Sequence, residues 1–188
     1  MDIQHAILGI LSWQPFSGYD LKKIISESDL FYWSGNNNQI YYSLVQLHKD
    51  ELVTQEIQQQ ESLPAKKKYH ITDKGWEQLR NWTLTDPELP EFRNHFLIQL
   101  TWADQLSQRE LDDLLGKYEE EIGIQLRMRH ARQQNSDEIN NPGQTARGKF
   151  LGKKISENMI ATYQHELEWI RNVRKELKNE DFDTRKLP

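Results

Sequence analysis

The chain has 188 residues, no cysteine and a formal net charge of −5 at pH 7. That length suffices for one large domain or two small ones with a real core, and the missing thiols exclude disulfides and thiolate metal sites. The apolar run near the start follows no basic leader and falls far below the ~20 residues that span a bilayer, so a cytoplasmic protein with no membrane partner is expected. Residues 1–85 hold 8 Lys or Arg against 10 Asp or Glu, and residues 86–188 hold 16 against 19. Neither half is basic, so a nucleic-acid site must be a local patch.

In chain order, Ile3, Ala6, Ile7, Ile10 and Leu11 recur at helical spacing until Pro15 stops them. Ser17 followed by Asp20 resembles a capping arrangement for a second short helix carrying Leu21, Ile24 and Ile25. An aromatic connection, Phe31-Tyr32-Trp33, leads to a third helix. Winding residues 36–51 at ~100° per residue puts Ile40, Leu44 and Leu47 on one side. The other side carries Asn38, Tyr42, Val45 and Lys49, flanked by Gln39 and Gln46. Solvated helix faces are usually rich in Glu and Lys pairs. Amides and phenols suit base edges and phosphate oxygens instead. The alternative for this stretch is an Asn-rich cap on an ordinary core helix.

Val53, Gln55 and Ile57 alternate as a strand, as do Lys67, Tyr69 and Ile71, with residues 58–64 as the loop between them. Lys66, Lys67 and Lys68 form the one strongly basic run; a plain soluble strand end and a phosphate-contacting wing both fit it. Thr72 can cap a fourth helix with Trp76, Leu79 and Trp82 on one face. Two helices, a connection, a polar-faced helix and a basic hairpin make a winged helix-turn-helix.

Residues 83–90, with two prolines, mark a domain boundary. Phe92, Phe96 and Leu100 then open a helical region, and Ser107 with Glu110 forms a capping box. Leu111, Leu114, Leu115, Tyr118, Ile122 and Leu126 make a long apolar stripe. Residues 135–148 read as a loop, and a last helix runs from about residue 154 to 178, striped by Ile160, Tyr163, Leu167, Ile170, Val173 and Leu177. So few long helices enclose such stripes economically only against a second copy; a self-contained helical domain is the alternative. The fold class is thus mainly α with a small β-hairpin wing. Residues 1–85 form a winged helix-turn-helix domain, residues 86–180 a helical dimerisation and effector domain, and residues 181–188 a tail.

Several short segments, taken in order, resemble the PadR family of transcriptional regulators. They are Ala6-Ile7-Leu8-Gly9-Ile10-Leu11, Ser17-Gly18-Tyr19-Asp20-Leu21, Gln39-Ile40-Tyr41 with Leu44 and Leu47, and Lys68-Tyr69-His70-Ile71-Thr72-Asp73-Lys74-Gly75. Phe96-Leu97, Leu106-Ser107, Tyr163 and Trp169 are similar to the long C-terminal domain of the subgroup that holds phenolic acid regulators and virulence activators. Glu51 stands where the family commonly has Gly after the recognition helix, and Asn38 and Gln39 stand where it often has small residues. The resemblance implies a homodimer on a pseudo-palindromic double-stranded DNA operator, usually a repressor, with a small aromatic acid releasing the DNA in the phenolic acid branch. It maps the recognition-helix Tyr to Tyr41, the wing strand to residues 67–71 and dimerisation to roughly residues 88–177.

The candidate DNA-contacting set is therefore Tyr19, Asn36, Asn37, Asn38, Gln39, Tyr41, Tyr42, Gln46, Lys49, Lys66, Lys67, Lys68 and Tyr69. Phe92, Phe96, Trp102, Tyr163 and Trp169 are either core or the walls of an effector cavity between the domains. The six histidines form no two-histidine metal motif, and no phosphate loop or nucleophile elbow occurs. No enzyme activity, metal or cofactor is expected. The rival of another class is a winged-helix protein-interaction module that does not bind DNA.

Overall fold

A computed structural model describes residues 3–27, 37–58, 66–89, 94–135 and 145–179. The aromatic connection 31–33, most of the wing loop, Phe92 and the tail lie outside the described residues. The chain divides into two compact units, Met1–Glu88 with Asn141–Thr145, and Leu89–Asn140 with Ala146–Pro188.

The first unit orders its elements as α1 (Ile3–Leu11), β1 (Phe16–Ser17), α2 (Gly18–Glu27), α3 (Asn37–Lys49), β2 (Val53–Gln58), β3 (Lys66–Ile71) and α4 (Asp73–Thr83). α1 is buried on most of its circumference, through Ile3, Ala6, Ile7, Leu8, Ile10 and Leu11. A helix apolar all round has to be central, and α1 touches α3, α4 and β3. Ile40, Leu44 and Leu47 supply α3's share of this core, at 5%, 0% and 0% exposure. Ser17 and Asp20 cap α2 reciprocally: the Asp20 carboxylate accepts the Ser17 N–H at 3.1 Å, and the Ser17 hydroxyl accepts the Asp20 N–H at 3.2 Å.

Sequence periodicity gave two strands, and the sheet has three, antiparallel in the order β1-β3-β2. A two-residue strand is too short to carry an alternation, so β1 is invisible to periodicity. Phe16 pairs with Tyr69 on one side of β3, and Gln55 pairs with Tyr69 on the other.

The exit of α3 and the entry of α4 are knitted together. The Leu52 N–H donates to Leu47 O at 2.9 Å and the Glu51 N–H to His48 O at 3.1 Å, the paired bonds of a Schellman motif. Its left-handed position is Glu51, at φ 61°. The Glu51 carbonyl accepts the Thr72 hydroxyl at 2.8 Å, and that hydroxyl accepts the Gly75 N–H at 3.0 Å to cap α4. A Cβ at Gly75 would overlap the Leu52 carbonyl, so only glycine fits there.

The second unit orders its elements as α5 (His95–Thr101), a 3-10 turn (Ala103–Gln105), α6 (Gln108–Asn135) and α7 (Ala146–Asn179). Asn94 caps α5 by accepting the Phe96 N–H at 2.9 Å. Ser107 and Glu110 form the expected capping box on α6, at 2.9 and 3.3 Å. α7 begins eight residues before the position that sequence assigned, and α6 runs to Asn135, so the loop is shorter than the 135–148 expected. The helix runs through Gly148 and Gly152, each of which costs it only about 1 kcal/mol. Just after them, Lys153 and Lys154 both pair with Glu157, at 4.0 and 2.7 Å.

α6 and α7 run antiparallel, because their contacts descend on one helix as they ascend on the other. Asp112 and Glu119 hold Arg174, and Arg129 reaches back to Tyr163. Leu115, Ile122, Leu167 and Ile170 are buried between them together with Phe96. Glu119 accepts from Arg171 at 2.9 Å and Arg174 at 2.6 Å, and these two bonds hold its carboxyl below the ordinary 4.5. Among the described residues no helix is long and apolar enough to cross a membrane.

Gly75→Ala should lower stability by about 1–3 kcal/mol through backbone overlap. Glu51→Gly should raise it by about 0.5–1 kcal/mol by relieving the left-handed strain. The urea midpoints of the two variants are expected to move in opposite directions. A carboxyl with a depressed folded pKa gives stability that is whole above its ordinary value of 4.5 and is lost as pH falls through the folded value. Acid titration of Glu119→Gln should therefore show a shallower loss of stability below about pH 4.5 than the parent chain does.

Candidate nucleic-acid interface

The packing of Ile40, Leu44 and Leu47 fixes which side of α3 faces out. That side carries Asn38, Gln39, Tyr41, Tyr42, Val45, His48 and Lys49, all exposed. Tyr42 is 72% exposed and Tyr41 48%. One face of Tyr41 packs on the start of α2, where a Cβ at Gly18 would come within 2.7 Å of its ring. Gly18 therefore seats Tyr41, a role that residue type alone does not signal. Tyr19 stands on the same helix start, 67% exposed. Gln46 spends its amide on Asp50, donating to both carboxylate oxygens at 3.0–3.1 Å. Asn36 lies outside the described residues, and Asn37 opens α3.

The three lysines of β3 do not stand alike. Lys66 is ion-paired with Asp20 at 3.0 Å. Partial burial pushes the Asp20 carboxyl up, but the Ser17 hydroxyl and Lys66 outweigh that and hold it below 3.8. Lys67 is exposed and Lys68 half-buried, and among the described residues neither makes an ion pair. These two are the cations the wing can offer an anion. Tyr69 sits at the centre of the sheet, 8% exposed, and burial, then Tyr41, raises its phenol pKa. It is a core residue more than a surface one. Sequence reasoning also missed the Asp20–Lys66 tie; its one signal was an isolated acid in the capping segment and a basic run later in the chain.

The aromatic residues of the second unit are mostly packed. Phe96 stacks on Tyr118 at 3.6 Å between centroids and meets Trp169 edge-on at 6.3 Å. The Tyr118 hydroxyl donates to Glu166 at 2.6 Å, and burial, then this bond, pushes its pKa up to about 12. Tyr163 lies 3.9 Å under the Arg129 guanidinium, a cation–π contact. Trp102 is apart from this cluster and 66% exposed. An open groove of about 430 Å³ lies between the start of α6 and the end of α7, lined by Leu111, Leu115 and Leu177 with Arg109 and Lys178. Among the described residues no cluster of His, Asp or Glu could hold a metal ion.

Comparison with known proteins agrees with this arrangement over both units. The model of the "Transcriptional regulator PadR-like family" matches residues 7–81, and that of the "Virulence activator alpha C-term" matches residues 92–178. The chain is 31% identical over 113 residues to the negative transcriptional regulator PadR of Bacillus subtilis, covering 60% of this chain and 62% of that one, under two thirds of its length. It superposes on the crystal structure of B. subtilis PadR in complex with operator DNA with a TM-score of 0.80 at 22% identity, covering 93% of this chain and 98% of the other. For B. subtilis PadR in complex with p-coumaric acid the TM-score is 0.77 at 22% identity, with 95% and 96% covered. The first unit thus carries a domain of the PadR-like family of transcriptional regulators, and the second a domain similar to the C-terminal part of virulence activators.

Proposed function

We propose that this chain is a cytoplasmic, homodimeric repressor that binds a pseudo-palindromic DNA operator and is released from it by a small aromatic acid. The observation that carries the reading is the outer face of α3, which gathers amides, phenols and Lys49 in the same unit as Lys67 and Lys68, and these two make no ion pair among the described residues. In this reading residues 1–85 hold the DNA and residues 86–180 hold the partner copy and the effector, with residues 181–188 as a tail. α3 lies in the major groove, where Asn38, Gln39, Tyr41 and Tyr42 meet base edges. Tyr19, Lys49, Lys67 and Lys68 meet phosphate, which fixes register without reading sequence. Asn36, Asn37 and Gln46 stay in the proposed set, and Lys66 and Tyr69 support the contacting residues from behind.

The second unit favours a dimer for a plain reason. Ile98 on α5 is 60% exposed, and Leu151 and Ile155 on α7 are 51% and 40% exposed. A partner copy that covers such faces places two α3 helices on successive major grooves, roughly 34 Å apart. The effector reading is supported by the complex of B. subtilis PadR with p-coumaric acid. Of Phe92, Phe96, Trp102, Tyr163 and Trp169, Trp102 is the described member with an open ring face for an aromatic ligand. The ligand acts by preferring a dimer geometry with the wrong helix separation. A protein-interaction module would need neither the amide-lined face nor Lys67 and Lys68, and similarity to a family of regulators does not favour catalysis.

Gel shifts with the DNA upstream of the protein's own coding sequence test the interface. Lys67→Ala should weaken binding to all sequences alike and reduce the log–log salt slope by roughly 0.9 per lost phosphate contact. Tyr42→Ala and Asn38→Ala should instead change which sequences are preferred; parental affinity and preference in all three variants would refute the assignment. Adding p-coumaric acid should abolish the shifted band and change Trp fluorescence, with the change lost in Trp102→Leu.

A further inference from the structure

Val45 is the one exposed aliphatic side chain on α3, at 66% exposure. At ~100° per residue it lies within about 60° of Asn38, Tyr41, Tyr42 and Lys49, at the centre of the outward face. The residues that pack α3 on the core, Ile40, Leu44 and Leu47, are on the other side. A single exposed aliphatic residue needs no explanation by itself. The place of this one is what matters. A β-branched residue is a poor choice for a solvated helix position, and here it interrupts a face otherwise made of amides, phenols and a cation.

The major groove offers one apolar feature among its donors and acceptors, the 5-methyl group of thymine. Asn38, Gln39 and the tyrosines can read the polar features around it. A valine can make none of those hydrogen bonds and can bury only the methyl. We propose that Val45 is a specificity-determining residue that packs on a thymine 5-methyl group in each operator half-site. This rests on the operator-binding reading above.

The test separates failure of the inference from failure of that reading. Duplexes are selected from a random pool by the full-length protein, and each symmetric pair of thymines in the tightest duplex is replaced by deoxyuridine, which lacks only the methyl. At one pair of positions the parent protein should bind about fourfold more weakly per methyl removed. Val45→Ala, a substitution of an exposed side chain by a better helix former, should bind the thymine and deoxyuridine duplexes alike. If a duplex is selected but no deoxyuridine replacement weakens the parent, or if Val45→Ala keeps the parental thymine-to-deoxyuridine ratio, the inference is overturned and the operator reading stands. If no duplex is selected, both fall.

Discussion

The rotation of α3 about its own axis decides what the first unit presents to any partner. That rotation is set by three side chains, Ile40, Leu44 and Leu47, pressed into a core centred on α1. Turning the helix by one residue's worth of arc, about 100°, would expose a leucine and bury a tyrosine or an amide. The hydrophobic effect thus does the orienting, and the polar face follows from it. The Schellman exit at Leu47 and Leu52 then directs the chain into β2. Gly75 allows α4 to start against the same turn without overlap. The outer face of α3 and the wing are held by one continuous piece of packing.

Local chemistry was legible in the sequence wherever a few adjacent residues decide the outcome. Ser107 with Glu110 and Thr72 with Gly75 announce helix starts, and the i, i+4, i+7 spacing of Ile40, Leu44 and Leu47 announces the buried stripe of α3. What stayed hidden depends on partners far along the chain. Tyr69 alternates like a surface strand residue until Phe16 pairs beside it and makes its strand central. Lys66 reads as one of three equal lysines until Asp20, 46 residues away in sequence, takes it. Gln46 stands among the candidate DNA contacts, although its acceptor is only four residues on; side-chain orientation, which spacing does not fix, decides that case. The early start of α7 was missed because its apolar stripe begins only at Ile160, so the first turns carry no spacing signal.

The second unit meets a different constraint. Two long antiparallel helices and a short third share one seam, so the apolar residues away from that seam have no cover within the unit. Ile98, Trp102, Leu151 and Ile155 are the result. The seam itself is fixed in register by charge: Arg174 bridges Asp112 and Glu119. Apolar contact alone would tolerate sliding by a turn. The arginine does not.

The tie between Lys66 and Asp20 has a consequence for how the wing would meet a ligand. A lysine on a free stem must give up rotational freedom when it engages an anion, and that loss opposes association. At Lys66 the loss has already been settled during folding, and the same bond anchors the loop end of β3 to the start of α2. The entropic cost of capture therefore falls on Lys67 and Lys68, which follow it along β3 toward the body of the sheet.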